Sequence, residues 1–363
     1  MQIGPPVVDF IVLCGFLGSG KTTLLVDLLK QESLKDTAVI VNEAGEIGLD
    51  GALIADAGDA SSTMLLSNGC VCCSLRSSLV ITVAELLDAP RPLGAPPLRR
   101  VILETSGISR PGPILASLAD PALSTRNLRV CVVSTYDASQ DNLHEDNFEE
   151  AAAQLTAAQR IVVTKSDLLN DEALKDAEHR AQALNPLARI VSGRDRQILV
   201  SEALISQDAS SGGSDRSDLL DMTVRALSLY KPEAAHARIH VMRASIVEAI
   251  DWEDFSSWLD DLAGVCGESL LRVKALVHVE DCEDPILVQS VGTTYGMPRR
   301  MPQHRQSPNI IVVITRDLNA EDLASQLPHP YVNLQSLIAP SERKFGVPAS
   351  SRLFTQRSTH AKS

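Results

Sequence analysis

A nine-residue segment near the N-terminus has the residue types and the spacing of a phosphate-binding loop. Residues 15–23 read GFLGSGKTT, which fits the pattern G-x-x-x-x-G-K-[ST]. An apolar run at 10–14 precedes this segment and leucines at helical spacing follow it, so the pattern lies between a buried strand and a helix. Its glycines let backbone N–H groups face an anion at the helix N-terminus. The residues that we expect to bind nucleotide phosphates are Gly15, Gly18, Ser19, Gly20, Lys21, Thr22 and Thr23.

Three side chains carry the expected catalysis. Lys21 would reach the β- and γ-phosphates as a point charge, and the Thr22 hydroxyl would ligate Mg²⁺. Glu104 ends a buried strand at 100–104, and ligands of open α/β sheets bind at the carboxyl ends of strands. We expect Glu104 to hold a water ligand of Mg²⁺ or to position the attacking water, and the N–H of Gly107 to contact the γ-phosphate. The two hydroxyl residues between them also suit a helix N-cap, which is the alternative.

A guanine-binding segment is predicted at the end of a later strand, where residues 164–167 read TKSD. The Asp167 carboxylate can accept from both N1–H and the exocyclic amine of guanine, whereas adenine has no N1–H. Lys165 would lay its methylene stem along the base. Thr164 stands where most GTPases have Asn, so a hydroxyl replaces the amide that braces the phosphate loop. The expected nucleotide is therefore GTP.

Three cysteines within four residues form the second chemical signal. Cys70, Cys72 and Cys73 supply thiolates, which are soft ligands for zinc-class ions and fill three of four tetrahedral positions. Glu43 leaves a strand expected beside the phosphate-loop strand and is the natural fourth ligand. A redox pair and buried structural cysteine are the alternatives. The isolated cysteines and both tryptophans are predicted to be packing residues, namely Cys14, Cys131, Cys266, Cys282, Trp252 and Trp258.

These motifs, in this order, resemble the CobW-type family of metal-handling P-loop GTPases, which is related to the GTPases that deliver nickel to urease and hydrogenase. The segments that carry the resemblance are GFLGSGKTT, VNEAGE, GCVCCS, ETSG and TKSD, between about residues 8 and 192. The resemblance implies Zn²⁺ or Co²⁺ on the cysteines, slow hydrolysis of GTP to GDP and phosphate, and metal transfer to a metal-requiring client protein. A nucleotide-binding metal store or redox sensor is the alternative.

Two features depart from that family pattern. Arg110 stands where many relatives have an acidic or amide residue near the γ-phosphate, so its charge suggests an arginine-finger role. Many relatives also have a histidine-rich stretch, whereas the eight histidines here are scattered. His236 and His240 are spaced i, i+4 but suit capping or solvent-facing roles better than a metal site. His144, in an acidic loop, is a slightly better auxiliary ligand.

Composition excludes several classes of partner. The 363 residues have a formal charge of −13 and no basic stripe, so we expect no nucleic-acid binding. No apolar stretch approaches the ~18 residues of a membrane span, so we expect no membrane association. Seven cysteines, three of them clustered, suit a reducing compartment, and the expected location is the cytoplasm. Self-association into a homo-oligomer is left open.

The order of predicted elements indicates an α/β protein with two domains. Apolar strands alternate with helical patterns before residue 206, which is typical of a parallel sheet with crossover helices. The later strands and helices read β-α-β-β-β-α, compatible with a smaller ferredoxin-like α+β domain. The predicted organisation is a P-loop NTPase domain over 1–205, a flexible linker and helix over 206–236, the C-terminal α+β domain over 237–340 and a disordered tail over 341–363.

Overall fold

The first half of the chain forms a parallel sheet. The structure is a computed structural model that describes residues 7–30, 36–42, 63–66, 74–91, 95–139, 148–205, 236–246 and 250–337. Its strands in this half are β1 (Val8–Gly15), β2 (Thr37–Asn42), β3 (Thr63–Leu66), β4 (Arg100–Glu104), β5 (Leu128–Asp137), β6 (Arg160–Thr164) and β7 (Arg189–Val191). They are arranged in the order β3-β2-β4-β1-β5-β6-β7, and every neighbouring pair is parallel.

Helices cover this sheet because its central strands are apolar on both faces. All five residues of β4 and seven of the eight in β1 are buried, as expected for strands inside a parallel sheet. The helices are α1 (Lys21–Leu29), α2 (Ser74–Asp88), α3 (Pro111–Leu118), α4 (Phe148–Ala157), α5 (Asp171–Leu184) and α6 (Arg196–Val200). Two apolar clusters, one on each side of the sheet, pack these helices against the strands.

The second half forms an antiparallel sheet with two helices. Its elements are β8 (Ile239–Ile246), α7 (Trp252–Cys266), β9 (Leu270–Val277), β10 (Ile286–Val291), β11 (Thr294–Tyr295), β12 (Arg299–Arg300), β13 (Ile310–Arg316), α8 (Ala320–Gln326) and β14 (Val332–Ser336). The order is β11-β10-β9-β13-β8-β14, with β12 on β10. The part β9-β13-β8-β14, with α7 and α8 as crossovers, is the ferredoxin-like arrangement, extended by β10. The predicted fold class is confirmed.

The predicted packing residues lie in the cores. Trp258 is buried and Trp252 packs against the same apolar cluster, so the prediction of a packed helix face is confirmed. Cys14 and Cys266 are buried, and Cys131 and Cys282 are partly buried against the clusters. Among the residues that the structure describes, no helix is both long and apolar enough to cross a membrane.

The two sheets meet at the C-terminal end of α4. The buried Arg272 guanidinium on β9 donates to the carbonyls of Thr156 at 2.9 Å and Ala158 at 3.2 Å, and also to that of Ala157. Asn185, after α5, donates its side-chain amide to the carbonyls of Thr156 at 3.0 Å and Ala158 at 2.9 Å. The last carbonyls of a helix lack partners inside the helix. Residues from both domains supply those partners here, and the cation suits the negative end of the helix dipole.

Lys274, two residues along β9 from Arg272, generates a prediction about pH. Burial, and secondarily the Arg272 charge, lower the pKa of Lys274 from 10.5 to about 7. Between these two values the unfolded chain holds a proton that the folded chain has released, so stability rises with pH in this window. Replacing Lys274 with Met should raise the free energy of unfolding near pH 7. It should also remove about 1.5 kcal/mol of the increase in that free energy between about pH 7 and pH 8.5.

Urea unfolding of wild type and Lys274→Met at these two pH values measures the effect. The exposed Lys175 on α5 provides the control, because Lys175→Met should keep the wild-type difference. If Lys274→Met keeps the wild-type pH dependence of the unfolding free energy, that dependence comes from another group.

Candidate nucleotide and metal site

The phosphate loop connects β1 to α1. Gly20 precedes the helix with φ 91° and offers no side-chain cap, so the first N–H groups of α1 are left for an anion. Gly15 has φ 144°, and a Cβ there would lie 2.0 Å from the Thr135 hydroxyl oxygen. The buried Lys21 ammonium donates to the carbonyls of Gly15 at 2.8 Å and Phe16 at 3.2 Å. The Lys21 side chain thus connects the end of the phosphate loop to its beginning.

The Thr22 hydroxyl and the Glu104 carboxylate meet across the edge of the sheet. Thr22 Oγ1 donates to Glu104 Oε1 at 2.6 Å. Glu104 is the last residue of β4 and pairs in register with Leu13 of β1, two residues before the loop. Hydroxyl and carboxylate oxygens are the hard ligands that Mg²⁺ prefers. The pair fits a magnesium site at which the Thr22 hydroxyl is a direct ligand and the Glu104 carboxylate binds the ion through a water.

Hydroxyl groups brace the phosphate loop from two neighbouring strands. Thr164 Oγ1, at the end of β6, donates to the carbonyl of Ser19 at 2.8 Å. The Ser19 hydroxyl shares a hydrogen bond of 2.6 Å with the Thr135 hydroxyl on β5. Thr164 therefore makes the bracing contact expected of the asparagine that it replaces.

The predicted guanine side is organised by an acidic residue that sequence reasoning missed. Asp137, the buried last residue of β5, accepts from Lys165 Nζ at 2.5 Å. Lys165 is held at φ 55°, a left-handed conformation that side chains other than Gly, Asn and Asp rarely adopt. Asp167, two residues on, is exposed at the carboxyl edge of the sheet. In the sequence, Asp137 follows an apolar run and so ends a predicted strand, which is the pattern that indicates a ligand-binding residue in a parallel sheet. In the structure it pairs in register with Thr164.

The loop after β4 rests on the phosphate loop. An added Cβ at Gly107 would lie 2.6 Å from Leu17 Cδ2 and 2.8 Å from the Leu17 backbone N. The Ser109 N–H donates to the carbonyl of Ser106 at 3.0 Å and closes a turn around Gly107. Helix α3 begins only at Pro111, so the helix-cap interpretation of Thr105 and Ser106 is wrong.

Arg110 forms ion pairs away from the phosphate loop. Its guanidinium contacts Glu149 and Glu150 of α4, both at 3.2 Å, and Glu268 of the C-terminal domain at 3.1 Å. Glu149 and Glu268 line a cleft between the two domains that Arg110 and Arg316 also line. In this arrangement Arg110 links domains, and the structure gives no support to the arginine-finger interpretation.

The predicted metal ligands Glu43, Cys70, Cys72 and Cys73 lie outside the described residues, as does His144. The strands that lead to them are described: Asn42, which precedes Glu43, pairs in register with Leu66, four residues before Cys70. Within the described ranges, no group of three His, Cys, Asp or Glu residues is arranged to hold a metal ion. His236 accepts from the Arg238 N–H at 3.2 Å and stacks on Phe148, a capping and packing role.

Comparison with known proteins gives consistent matches to both domains. Residues 9–192 match the family described as CobW/HypB/UreG, nucleotide-binding domain, and residues 239–329 match the Cobalamin synthesis protein cobW C-terminal domain. Zinc chaperone YjiA of Escherichia coli (strain K12) is 35% identical over 314 residues, which cover 83% of this chain and 92% of that protein. Zinc-regulated GTPase metalloprotein activator 1 of Schizosaccharomyces pombe is 31% identical over 190 residues, 51% of this chain and 45% of that one.

A solved structure shares the fold. The crystal structure of Zn(II)-bound YjiA GTPase from E. coli superposes with a TM-score of 0.59 at 21% identity, and the match covers 89% of this chain and 98% of that one.

The first prediction from the site concerns nucleotide choice. The protein should bind GTP at least about a hundredfold more tightly than ATP, because the Asp167 carboxylate has no partner on adenine. Asp167→Ala should remove most of this preference and retain phosphate binding, whereas Asp176→Ala, at an exposed carboxylate on α5, should change neither. Competition titrations measure both effects. Equal wild-type affinities for the two nucleotides would contradict the assignment.

The second prediction concerns hydrolysis. Thr22→Val keeps the shape of the side chain and deletes the hydroxyl, so Mg²⁺-dependent turnover should fall by about a hundredfold or more. Thr37→Val is the matched control, since Thr37 is a buried threonine at the opposite edge of the same sheet, and its kcat should stay within about twofold of wild type. Steady-state phosphate release with GTP is the measurement. Unchanged turnover in Thr22→Val would exclude this hydroxyl as a metal ligand.

Proposed function

Because the chain belongs to the CobW/HypB/UreG family of P-loop GTPases, we propose that it is a GTP-driven metallochaperone. It binds GTP with Mg²⁺ on the phosphate loop and a zinc-class ion, Zn²⁺ or Co²⁺, on the cysteine cluster. Hydrolysis of GTP to GDP and phosphate drives transfer of this ion to a metal-requiring client protein. Relatives named as zinc chaperones and as a metalloprotein activator support this proposal.

The observation that carries the proposal is the register at the carboxyl edge of the sheet. Val41 on β2 pairs with Glu104 on β4, and Asn42 pairs with Leu66 on β3. Glu43 follows Asn42 directly, and the cysteine cluster starts four residues after Leu66. Because a residue spans at most ~3.6 Å of chain, Glu43 stays close to the end of β2, the strand next to Glu104, and the cysteine cluster begins within about 15 Å of the end of β3, the strand beyond it. Glu104 is itself bonded to the phosphate-loop helix.

The nucleotide residues have separate roles in the proposed reaction. Lys21 neutralises charge on the β- and γ-phosphates, and the N–H groups of the loop and of the first turn of α1 bind the phosphate oxygens. Thr22 would ligate Mg²⁺ directly, and the ion would stabilise the charge that develops during transfer. Glu104 would hold a water ligand of Mg²⁺ or position the attacking water. Gly107, which lies against Leu17, contacts the γ-phosphate through its N–H.

Coupling between the two sites follows from shared segments. The chain after β2 and the loop after β4 leave adjacent strands, so a γ-phosphate that fixes one of them constrains the other. Metal affinity then differs between the GTP and GDP states, and by linkage the metal changes GTP affinity by the same factor. A store or sensor without chaperone activity would show metal binding that is independent of nucleotide.

The prediction from this proposal is one zinc-class ion per chain. The variant in which Cys70, Cys72 and Cys73 are all changed to Ser should lose that ion, because serine hydroxyls are poor ligands for zinc at neutral pH. Cys282→Ser, at a lone and partly buried cysteine, should keep it. Binding should release protons and weaken as pH falls, because the ligand thiols must lose their protons.

The measurement is a zinc titration under reducing conditions, run with no nucleotide, with GDP and with a non-hydrolysable GTP analogue. A shift in zinc affinity of about fivefold or more between the GDP and GTP-analogue states is expected. Stoichiometric zinc on the triple-serine variant would refute the site. Equal affinities in all three nucleotide states would refute the coupling and leave the store as the function.

A further inference from the structure

Gln154 is a fully buried polar residue in the middle of α4 and belongs to none of the sequence motifs. Its side-chain Nε2 donates to two carbonyls of the loop after β4, those of Gly107 and Ser109, both at 2.9 Å. Its own backbone carbonyl lies 3.9 Å from Cys14 Sγ, the residue before the phosphate loop. Burying an amide costs free energy unless its hydrogen bonds are made. Gln154 uses its amide to hold one loop.

The geometry points to Gln154 as a positioning residue for GTP hydrolysis. It fixes the Gly107–Ser109 turn against the phosphate loop in the arrangement that contacts the γ-phosphate. This inference rests on the role of Gly107 in the proposed function. Gln154 itself acts only through the loop.

The contact sets the position of specific backbone groups. Because Nε2 binds the carbonyls of both Gly107 and Ser109, the short backbone segment that carries the Gly107 N–H has a fixed position relative to α4. The Gly107 Cα lies so close to Leu17 that a side chain would collide with the phosphate loop. A loop released by Gln154 would lose this alignment, and a displacement of about 1 Å can cost about a hundredfold in rate.

A second contact joins the same loop to the same helix. Arg110, the residue after Ser109, forms ion pairs with Glu149 and Glu150 in the first turn of α4. The side chains of these residues are partly exposed, at 35%, 39% and 24%, so each pair is worth at most about 1 kcal/mol. The buried amide is therefore the stronger of the two attachments.

The test compares Gln154→Met, Gln154→Glu and Thr156→Val. Gln154→Met keeps the length of the side chain and removes the donors. We expect kcat for GTP to fall by about tenfold to a hundredfold, with the KM for GTP within about threefold. The Kd for GDP should also stay within about threefold, because GDP has no γ-phosphate for the loop to contact. Thr156→Val controls for the helix: its hydroxyl donates to the carbonyl of Ala152 within α4, and its kcat should stay within about twofold of wild type.

Gln154→Glu gives a signature that a general loss of structure would not. A carboxylate cannot donate, whereas the protonated acid donates one hydrogen bond, and burial raises the pKa of such a group. Its kcat relative to wild type should therefore rise as pH falls from about 8 to about 6, and Gln154→Met should show no such recovery. This pH profile also tests the positioning role of Gln154 if the Gln154→Met protein does not fold.

Three results would each overturn the inference. The first is a kcat for Gln154→Met equal to that of Thr156→Val. The second is a pH profile of Gln154→Glu parallel to wild type. The third is an equal loss of GTP and GDP affinity in both Gln154 variants. All rates are measured without added zinc or client. A failure of metal coupling in the zinc titration would leave these rates unaffected, so the two proposals fail separately.

Discussion

The parallel pairing of β1 with β4 is the constraint on which the site depends. In this register Leu13 lies opposite Glu104, so the strand that leads into the phosphate loop and the strand that carries the acidic residue end at one edge. The Thr22 to Glu104 hydrogen bond of 2.6 Å is a consequence of that alignment. A slip of one residue would turn Glu104 to the other face of the sheet. Backbone pairing inside an apolar core thus fixes the distance between two polar groups.

Helix α4 connects this edge to the second domain. Its middle holds the loop after β4 through Gln154, and its end is capped by Arg272 from β9 and by Asn185. Its first turn carries Glu149, which accepts from Arg316 of β13 at 3.1 Å as well as from Arg110. Through Arg272 and Arg316 the C-terminal domain helps to set the position of the helix that holds the loop after β4. Two described connections join that domain to the loop after β4, one through α4 and one through the Arg110–Glu268 ion pair.

The sequence predicted the features that depend on local patterns. The phosphate loop and the apolar strands can be recognised because each needs particular residue types at short spacing. Gln154, Asp137 and Arg272 were missed because their partners lie 47, 28 and 116 residues away. Strand β14 was missed because VNLQS has only two apolar residues, both inward-facing, on a strand at the edge of the sheet. The cap on Thr105 and Ser106 was wrong because Pro111 starts the helix later.

The relative strength of the contacts around the loop after β4 determines how it can move. The ion pairs of Arg110 reach partly exposed carboxylates, and Glu268 is 79% exposed, so solvent screens them and they yield at little cost. Breaking the two Gln154 bonds without replacement would leave the buried Nε2 group without an acceptor, at about 1–3 kcal/mol. A γ-phosphate needs to supply only a few kcal/mol of differential binding to change the population of such a loop. The two Gln154 bonds therefore lie within the range of free energy that binding of a γ-phosphate can offset.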